Sequence, residues 1–303
     1  MARKPSQNRT QQRGRGQKPG GADGQQRPSQ KGGGGSRNRQ RQGNRGNFDA
    51  SRANTDETLL LEGKHAFEEA IATEARIECV YATDSILADP YMSSLVAKAK
   101  SAGAKVQAVD GEDLAAISSH GAHQGIAARL KPYKYAALSD LINASAGKEN
   151  ALIIACDHVT DAGNFGAICR TAEIVGASGM LIPNKRSAQV NTAAYKTSAG
   201  AVMHLPIARE ANLVRSLQAL KDEGFWVAGA SEHAQDVIWD APLSGRIVLV
   251  MGSEGAGLSR LTLETCDLLV KLPQAGKIES LNVAQATTAI AYEWMRQCSV
   301  SKS

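Results

Sequence analysis

Two glycine-bearing loops hold most of the residues in this 303-residue chain whose types suit chemistry. The first, Gly252-Ser-Glu-Gly-Ala-Gly257, carries one carboxylate, Glu254. The second runs from Pro273-Gln-Ala-Gly276 to Ser280-Leu-Asn282 and ends in a hydroxyl and an amide. A third group, Asn164 and Arg170, lies in Asp161-Ala-Gly-Asn-Phe-Gly-Ala-Ile-Cys-Arg-Thr-Ala172. Glycines let main-chain N–H and C=O groups approach a bound molecule closely, so the loops suit a ligand gripped through the backbone. A guanidinium is a permanently charged fork that matches phosphate and is a poor proton acceptor, its pKa lying above about 12. The set is equipped to hold and orient, and placement of two reactants alone can lower a barrier by roughly 7–11 kcal/mol at best. Plainer readings compete. A Gly-x-x-Gly-x-Gly run also makes a tight strand-to-helix turn, and Asn164, Ser280 and Asn282 are ordinary helix N-caps.

The elements that must position these residues follow from periodicity. Apolar runs at 151–156, 179–183, 204–207, 226–230, 246–251 and 268–272 predict buried strands. Helical patterns fall at 164–176, 191–201, 212–223 and 281–297, with a short helix from Ser259. Alternation of this kind predicts a mostly parallel α/β sheet covered on both faces, with ligands at the carboxyl ends of its strands. Asn164 then sits on a loop and Arg170 on the second turn of a helix. Upstream, a helix beginning with the stretch Leu59 to Phe67, strands at 77–81 and 105–109, helices at 93–101 and 111–117, and a run at 126–129 predict a smaller α/β/α module.

Taken together, Asn164-x-Gly166-x-x-x-Arg170, Gly252-x-Glu254-x-x-Gly257 and Pro273-x-x-Gly276 with Ser280-Leu-Asn-Val283 resemble the three motifs of the SpoU (TrmH-like) branch of the SPOUT RNA methyltransferases, in order and spacing, over about residues 58–297. The resemblance implies an S-adenosylmethionine-dependent enzyme that methylates ribose 2'-hydroxyls. It also implies a SPOUT α/β-knot domain whose chain threads a trefoil knot, a rare exception among folds. It assigns catalysis to Arg170, Asn164, Glu254, Ser280 and Asn282, and cofactor binding to Gly252, Leu272 and Leu281, largely through their backbones, with Asn282. In the family the arginine activates the ribose hydroxyl. A fork that binds the target phosphate and orients the 2'-OH is physically easier than a general base. Asn164 is then expected to bond the ribose or the facing loop, and Glu254 to orient Arg170 or a substrate group. Ala162, Gln274 and Ala284 depart from the commonest family pattern and bear on substrate preference.

The upstream module resembles the L30e-like RNA-binding domain of many SpoU enzymes, including its Glu62-Gly63-x-His65 start and His123-Gln124-Gly125 turn. Lys185-Arg-Ser-Ala-Gln-Val190 and Ser198-Ala-Gly-Ala201 resemble the subgroup that modifies a guanosine in 23S rRNA, with tRNA as the alternative target. Family members are homodimers with the last helix near the interface. Here that helix presents Val283, Ala286, Ile290 and Trp294 on one face and Ala284, Thr288 and Ala291 on a second.

Charge is uneven. Residues 1–56 hold 13 Lys and Arg against three Asp, a net of +10, while the other 247 residues hold 22 bases and 27 acids. This Arg/Gly/Gln-rich tail is too poor in apolar residues to bury a core and suits sequence-independent attraction to RNA phosphate. The expected layout is a disordered tail at 1–56, an L30e-like domain at 57–131, a linker at 132–149 and the methyltransferase domain at 150–298. Five cysteines without C-x-x-C spacing argue for reduced thiols in a cytoplasm, with no metal. No apolar run reaches the roughly 20 residues that span a bilayer. A catalytically silent RNA-binding or ribosome-assembly protein is one rival reading, opposed by the intact polar set. A nucleotide-binding oxidoreductase is the other, opposed by the absence of a Gly-x-Gly-x-x-Gly turn after the 151–156 strand.

Overall fold

In the computed structural model, which describes residues 59–118, 121–277 and 280–300, the chain builds two sheets. The basic tail and the last three residues lie outside the described residues. The first sheet has the order β1-β4-β2-β3, from β1 (Leu59–Glu62), β2 (Ile77–Ala82), β3 (Lys105–Ala108) and β4 (Ile126–Leu130). Helices α1 (Lys64–Ala72), α2 (Asp84–Ala88), α3 (Pro90–Ser101) and α4 (Gly111–Ile117) connect them. The helix expected to start at Leu59 is instead β1 followed by α1. Three consecutive leucines carry no periodicity that separates strand from helix, and antiparallel pairing of Leu59 to Glu62 with β4 decides it. The two stretches that carry the module's likeness meet here. Gln124 Oε1 accepts from the Lys64 backbone N–H at 3.2 Å, and the Gly63 N–H donates to Ile126.

Between the sheets, where a connector without regular structure was expected, the chain forms α5 (Leu138–Ala144). The second sheet, entirely parallel, comprises β5 (Ala151–Asp157), β6 (Gly179–Pro183), β7 (Ile207–Glu210), β8 (Trp226–Ala230), β9 (Asp236–Val237), β10 (Arg246–Gly252) and β11 (Leu268–Lys271). Its order is β7-β6-β5-β10-β8-β11-β9. The remaining helices are α6 (Ala162–Ile174), α7 (Thr192–Thr197), α8 (Leu213–Asp222), α9 (Arg260–Thr265) and α10 (Val283–Val300). Along β5 every residue is buried because both faces are covered. Leu152, Ile154 and Cys156 pack with Phe165 and Ile168 of α6 and Ile290 of α10, while Ala151, Ile153 and Ala155 pack with Leu141 of α5 and Leu217 of α8. This two-sided burial is why the strand reads as a continuous apolar run.

The structure differs from expectation in three places within this half. The helix expected at 191–201 ends at Thr197, where Ala199 and Gly200 take φ of +50° and +77°, and a single 3-10 turn at Ala201–Met203 delays the next strand to Ile207. The two-residue edge strand β9 is too short to leave a pattern. Helix α6 starts at Ala162 because Asp161 caps it, accepting from the Asn164 N–H at 2.7 Å. Asn164 thus lies in the first turn and not on the loop, and Arg170 in the third turn and not the second.

The first sheet's module docks on α7. Thr192 Oγ1 donates to the Leu60 carbonyl at 3.3 Å, and Thr73 Oγ1 and Tyr195 Oη are 2.8 Å apart. No helix among the described residues is long and apolar enough to cross a membrane. For the site, one feature of topology matters most. Strands β5, β10, β8 and β11 are sheet neighbours, so the segments that leave their carboxyl ends stand side by side.

Candidate active site

The loop after β10 is held in shape by its own backbone. Ser253 and Gly257 exchange N–H···O bonds of 3.0 and 2.9 Å. A Cβ on Gly252 would lie 2.5 Å from the Gly257 carbonyl oxygen, so close approach of two backbone segments requires glycine at 252. The loop's exit is pinned from below. The Ser259 N–H donates at 2.7 Å to Oδ2 of Asp157, a carboxylate only 1% exposed at the end of β5, whose Oδ1 lies 2.5 Å from His158 Nδ1. Between these fixed ends stands Glu254.

Glu254 joins three elements. Its Oε1 accepts from Asn164 Nδ2 and from Asn282 Nδ2, each at 2.9 Å. Asn282 Nδ2 also donates to Asn164 Oδ1 at 2.8 Å, which uses both of its protons. The Asn282 oxygen in turn accepts from the Ala284 N–H at 2.9 Å and caps α10. Capping and cross-loop bonding therefore occur together at Asn282. On α6, Gly166 permits the approach of α7. A Cβ there would meet Thr197 Oγ1 and lie 2.6 Å from the Ala194 carbonyl oxygen. That packing sets the height of Asn164 above the sheet.

A cavity of about 510 Å³ opens beside this network, within the usual range for small-molecule sites. Met251, Leu258, Val270, Leu272 and Ile290 give it apolar walls, while Gly252, Glu254, Ser280, Leu281 and Asn282 stand at its rim. All four residues expected to bind a cofactor thus line one cavity. Arg170 is placed differently. It is exposed and makes no hydrogen bond or ion pair among the described residues. Six residues of helix place it about 120° around α6 from Asn164. Glu254 makes no bond to Arg170 among the described residues; its Oε1 is taken instead by the amides of Asn164 and Asn282. The N-cap reading of Asn164 fails too, because Asp161 is the cap. Beneath the site, burial pushes the Cys156 thiol up to about 12 and holds Cys169 well above its ordinary value, which disfavours the nucleophilic thiolate at both. Asp157 escaped the sequence reading; its one signal was a carboxylate ending an otherwise apolar strand.

A parallel sheet with a main-chain-rich cavity at its carboxyl ends, joined to a module of its own, defines a two-part α/β protein with a small-molecule site, and comparison gives both parts a counterpart. Residues 151–292 match the SpoU rRNA Methylase family, and residues 60–136 match the family described as RNA 2'-O ribose methyltransferase substrate binding. The chain belongs to the SpoU family of RNA 2'-O-ribose methyltransferases. It is 38% identical over 247 residues to an uncharacterized tRNA/rRNA methyltransferase of Mycobacterium ulcerans, covering 82% of this chain and 80% of that one. An uncharacterized tRNA/rRNA methyltransferase of Synechocystis is 40% identical over 239 residues, and there the match spans 78% of this chain and 62% of the relative's length. The 23S rRNA (guanosine-2'-O-)-methyltransferase RlmB of Photobacterium profundum is 38% identical over 240 residues, 78% of this chain and 97% of that one. Among solved structures, the AdoMet-bound rRNA methyltransferase of Sinorhizobium meliloti superposes with a TM-score of 0.66 at 25% identity, covering 82% of this chain and 91% of that chain.

Proposed function

We propose that this chain transfers a methyl group from S-adenosylmethionine to the ribose 2'-hydroxyl of a guanosine in 23S rRNA. The observation that carries the reading is the Asn164–Glu254–Asn282 network at the rim of the cavity, built from all three motif regions. The guanosine target is supported by the likeness to RlmB, which extends over 97% of that enzyme. The residues present fit the cofactor. The apolar walls suit an adenine, and the glycine loop and the 272–282 segment offer main-chain donors and acceptors at the rim.

When bound, the cofactor supplies a methyl group on a positively charged sulfur. The chain's own work is placement. The backbone at Gly252, Leu272 and Leu281 grips the cofactor, and the amide network keeps the two gripping loops in register. Glu254 Oε2 makes no hydrogen bond among the described residues and is open to a substrate hydroxyl. Arg170, unpaired and exposed, is free to fork onto the phosphate beside the target and fix the 2'-hydroxyl for in-line attack. Ser280, at the rim, adds a hydroxyl to the same wall. The L30e-like module, docked on α7, supplies an RNA-binding surface next to α6, and the basic tail adds phosphate affinity. The chain acts as a homodimer with α10 near the interface, in keeping with the exposure of Tyr292 and Met295 on that helix.

Incubation with methyl-labelled cofactor, 23S fragments and tRNA transcripts, followed by mapping of 2'-O-methyl positions, tests the reading. Label on a 23S guanosine ribose is expected. Label on a base overturns the chemistry. Strong labelling of tRNA with none of 23S fragments moves the target to tRNA, the class that the names of the mycobacterial relatives leave open.

A further inference from the structure

The cavity has a wall that none of the three motifs supplies. Strand β8 lies between β10 and β11 in the sheet, so the turn that leaves its carboxyl end emerges between the two loops that grip the cofactor. That turn is tight and tied to the sheet. The Ser231 N–H donates to the Val270 carbonyl at 3.0 Å, the Ala234 N–H closes back on Ser231 at 3.1 Å, and the His233 N–H donates to Ser231 Oγ at 3.3 Å. It presents Glu232 and His233 to the cavity.

Four residues with ionisable side chains line that space: Glu232, His233, Glu254 and Lys271. Glu254 is anchored through Oε1 by Asn164 and Asn282, and its remaining oxygen is assigned above to a substrate hydroxyl. Among the described residues Glu232 is held only by its neighbour His233, at 3.6 Å, and its side chain is 54% exposed. An acceptor on a rigid turn, without a structural bond to lose, is suited to a ligand hydroxyl. The ligand's connectivity then fixes which one. S-adenosylmethionine runs from adenine through ribose to sulfur and the amino-acid end, so its middle is the ribose in either orientation. The middle of the cavity, between the β10 and β11 loops, is the β8 turn.

We propose that Glu232 is a cofactor-binding residue that accepts hydrogen bonds from the vicinal hydroxyls of the cofactor's ribose. A carboxylate presents two acceptor oxygens and matches a diol, the pairing that dinucleotide sites also use. The inference rests on the cofactor assignment made above.

Calorimetric titration of the full chain with S-adenosylhomocysteine and with 5'-methylthioadenosine, which keeps the adenosine and lacks the amino-acid group, tests it. Glu232→Ala is expected to weaken both by the same factor, about tenfold or more, as for loss of a charge-assisted hydrogen bond. Glu232→Gln, which keeps one acceptor, is expected to fall between. The thermal midpoint without ligand should not move, because the side chain is exposed. Equal affinity of Glu232→Ala and wild type for S-adenosylhomocysteine overturns the proposal and leaves the cofactor assignment standing. Loss confined to S-adenosylhomocysteine also overturns it and places the carboxylate at the amino-acid end. A wild-type chain that binds neither compound removes the cofactor assignment and this inference together.

Discussion

Asn282 and Glu254 share a 2.9 Å hydrogen bond that ties the start of the last helix to the tip of the β10 loop. Asn282→Ala removes that bond, the bond to Asn164 and the α10 cap at once. The expected result is a loss of roughly 0.5–2 kcal/mol of stability from the cap. Weaker S-adenosylhomocysteine binding and slower turnover should accompany it. Thermal unfolding beside calorimetric titration separates these effects, and unchanged cofactor affinity would show that the network does not shape the cavity.

Arg170 stands about 120° around α6 from Asn164 and off the cavity wall. Arg170→Ala is therefore expected to abolish methyl transfer while leaving S-adenosylhomocysteine affinity close to wild type. Arg170→Lys should also be largely inactive, since an ammonium keeps the charge and not the bidentate fork. Near wild-type turnover by Arg170→Ala would remove its assignment as the phosphate fork.

Gly166→Ala asks whether the height of α6 over α7 matters. The added methyl would meet Thr197 Oγ1 and a backbone carbonyl at 2.6 Å, and the carbonyl cannot rotate away. A cost of about 1–3 kcal/mol is expected from overpacking, with a displaced Asn164 and reduced turnover. Thr197→Ala in the same chain should recover only part of the loss, because the carbonyl clash persists.

Near the other end of α10, Glu293 is buried and accepts from Arg296 Nε at 2.8 Å, from Arg296 Nη2 at 2.7 Å and from Gln297 at 2.8 Å. The Arg296 hydrogen bonds hold its carboxyl below the ordinary value, against an opposing effect of burial. The unfolded chain therefore binds the proton more readily than the folded one, so this contribution to stability is fully present above the ordinary carboxylate range and fades as pH falls through the folded value. Glu293→Gln should flatten the acid limb of a stability–pH curve, measured by denaturant unfolding. An unaltered acid limb would mean that the pair adds nothing.

Removal of residues 1–56 takes away a net charge of +10. RNA affinity is expected to drop mainly at low ionic strength, with the methylated nucleotide unchanged, because phosphate contacts position without reading sequence. A shift of the methylated site after truncation would make the tail a determinant of specificity.

Much of the methylase half was legible because burial on both faces writes strands as unbroken apolar runs; β5, β6, β8 and β10 fell within a residue of expectation. Periodicity failed where it carries no information, as in the Leu59–Leu61 run, and where a left-handed residue ended α7 early. The site was legible as a set of residues and not as a set of contacts. Spacing singled out Asn164, Glu254 and Asn282, but their mutual bonds depend on the order of strands in the sheet, which no local pattern records. The family resemblance offered Glu254 either Arg170 or a substrate group, and the structure bonds its Oε1 to two amides instead of to Arg170. Asp157 became visible only once β5 was known to lie beside β10, and the β8 turn only once β8 was known to lie between β10 and β11.

The amide network spans 118 positions of sequence, with Glu254 bonded 90 positions upstream and 28 downstream. During synthesis, domains fold as units while the chain emerges at roughly 5–20 residues per second. A nascent chain that has emerged as far as Glu254 has Asn164 in place and no Asn282 to bridge them. The centre is therefore assembled only after position 282 has emerged, and a chain interrupted before it cannot close the network, however well the earlier strands have paired.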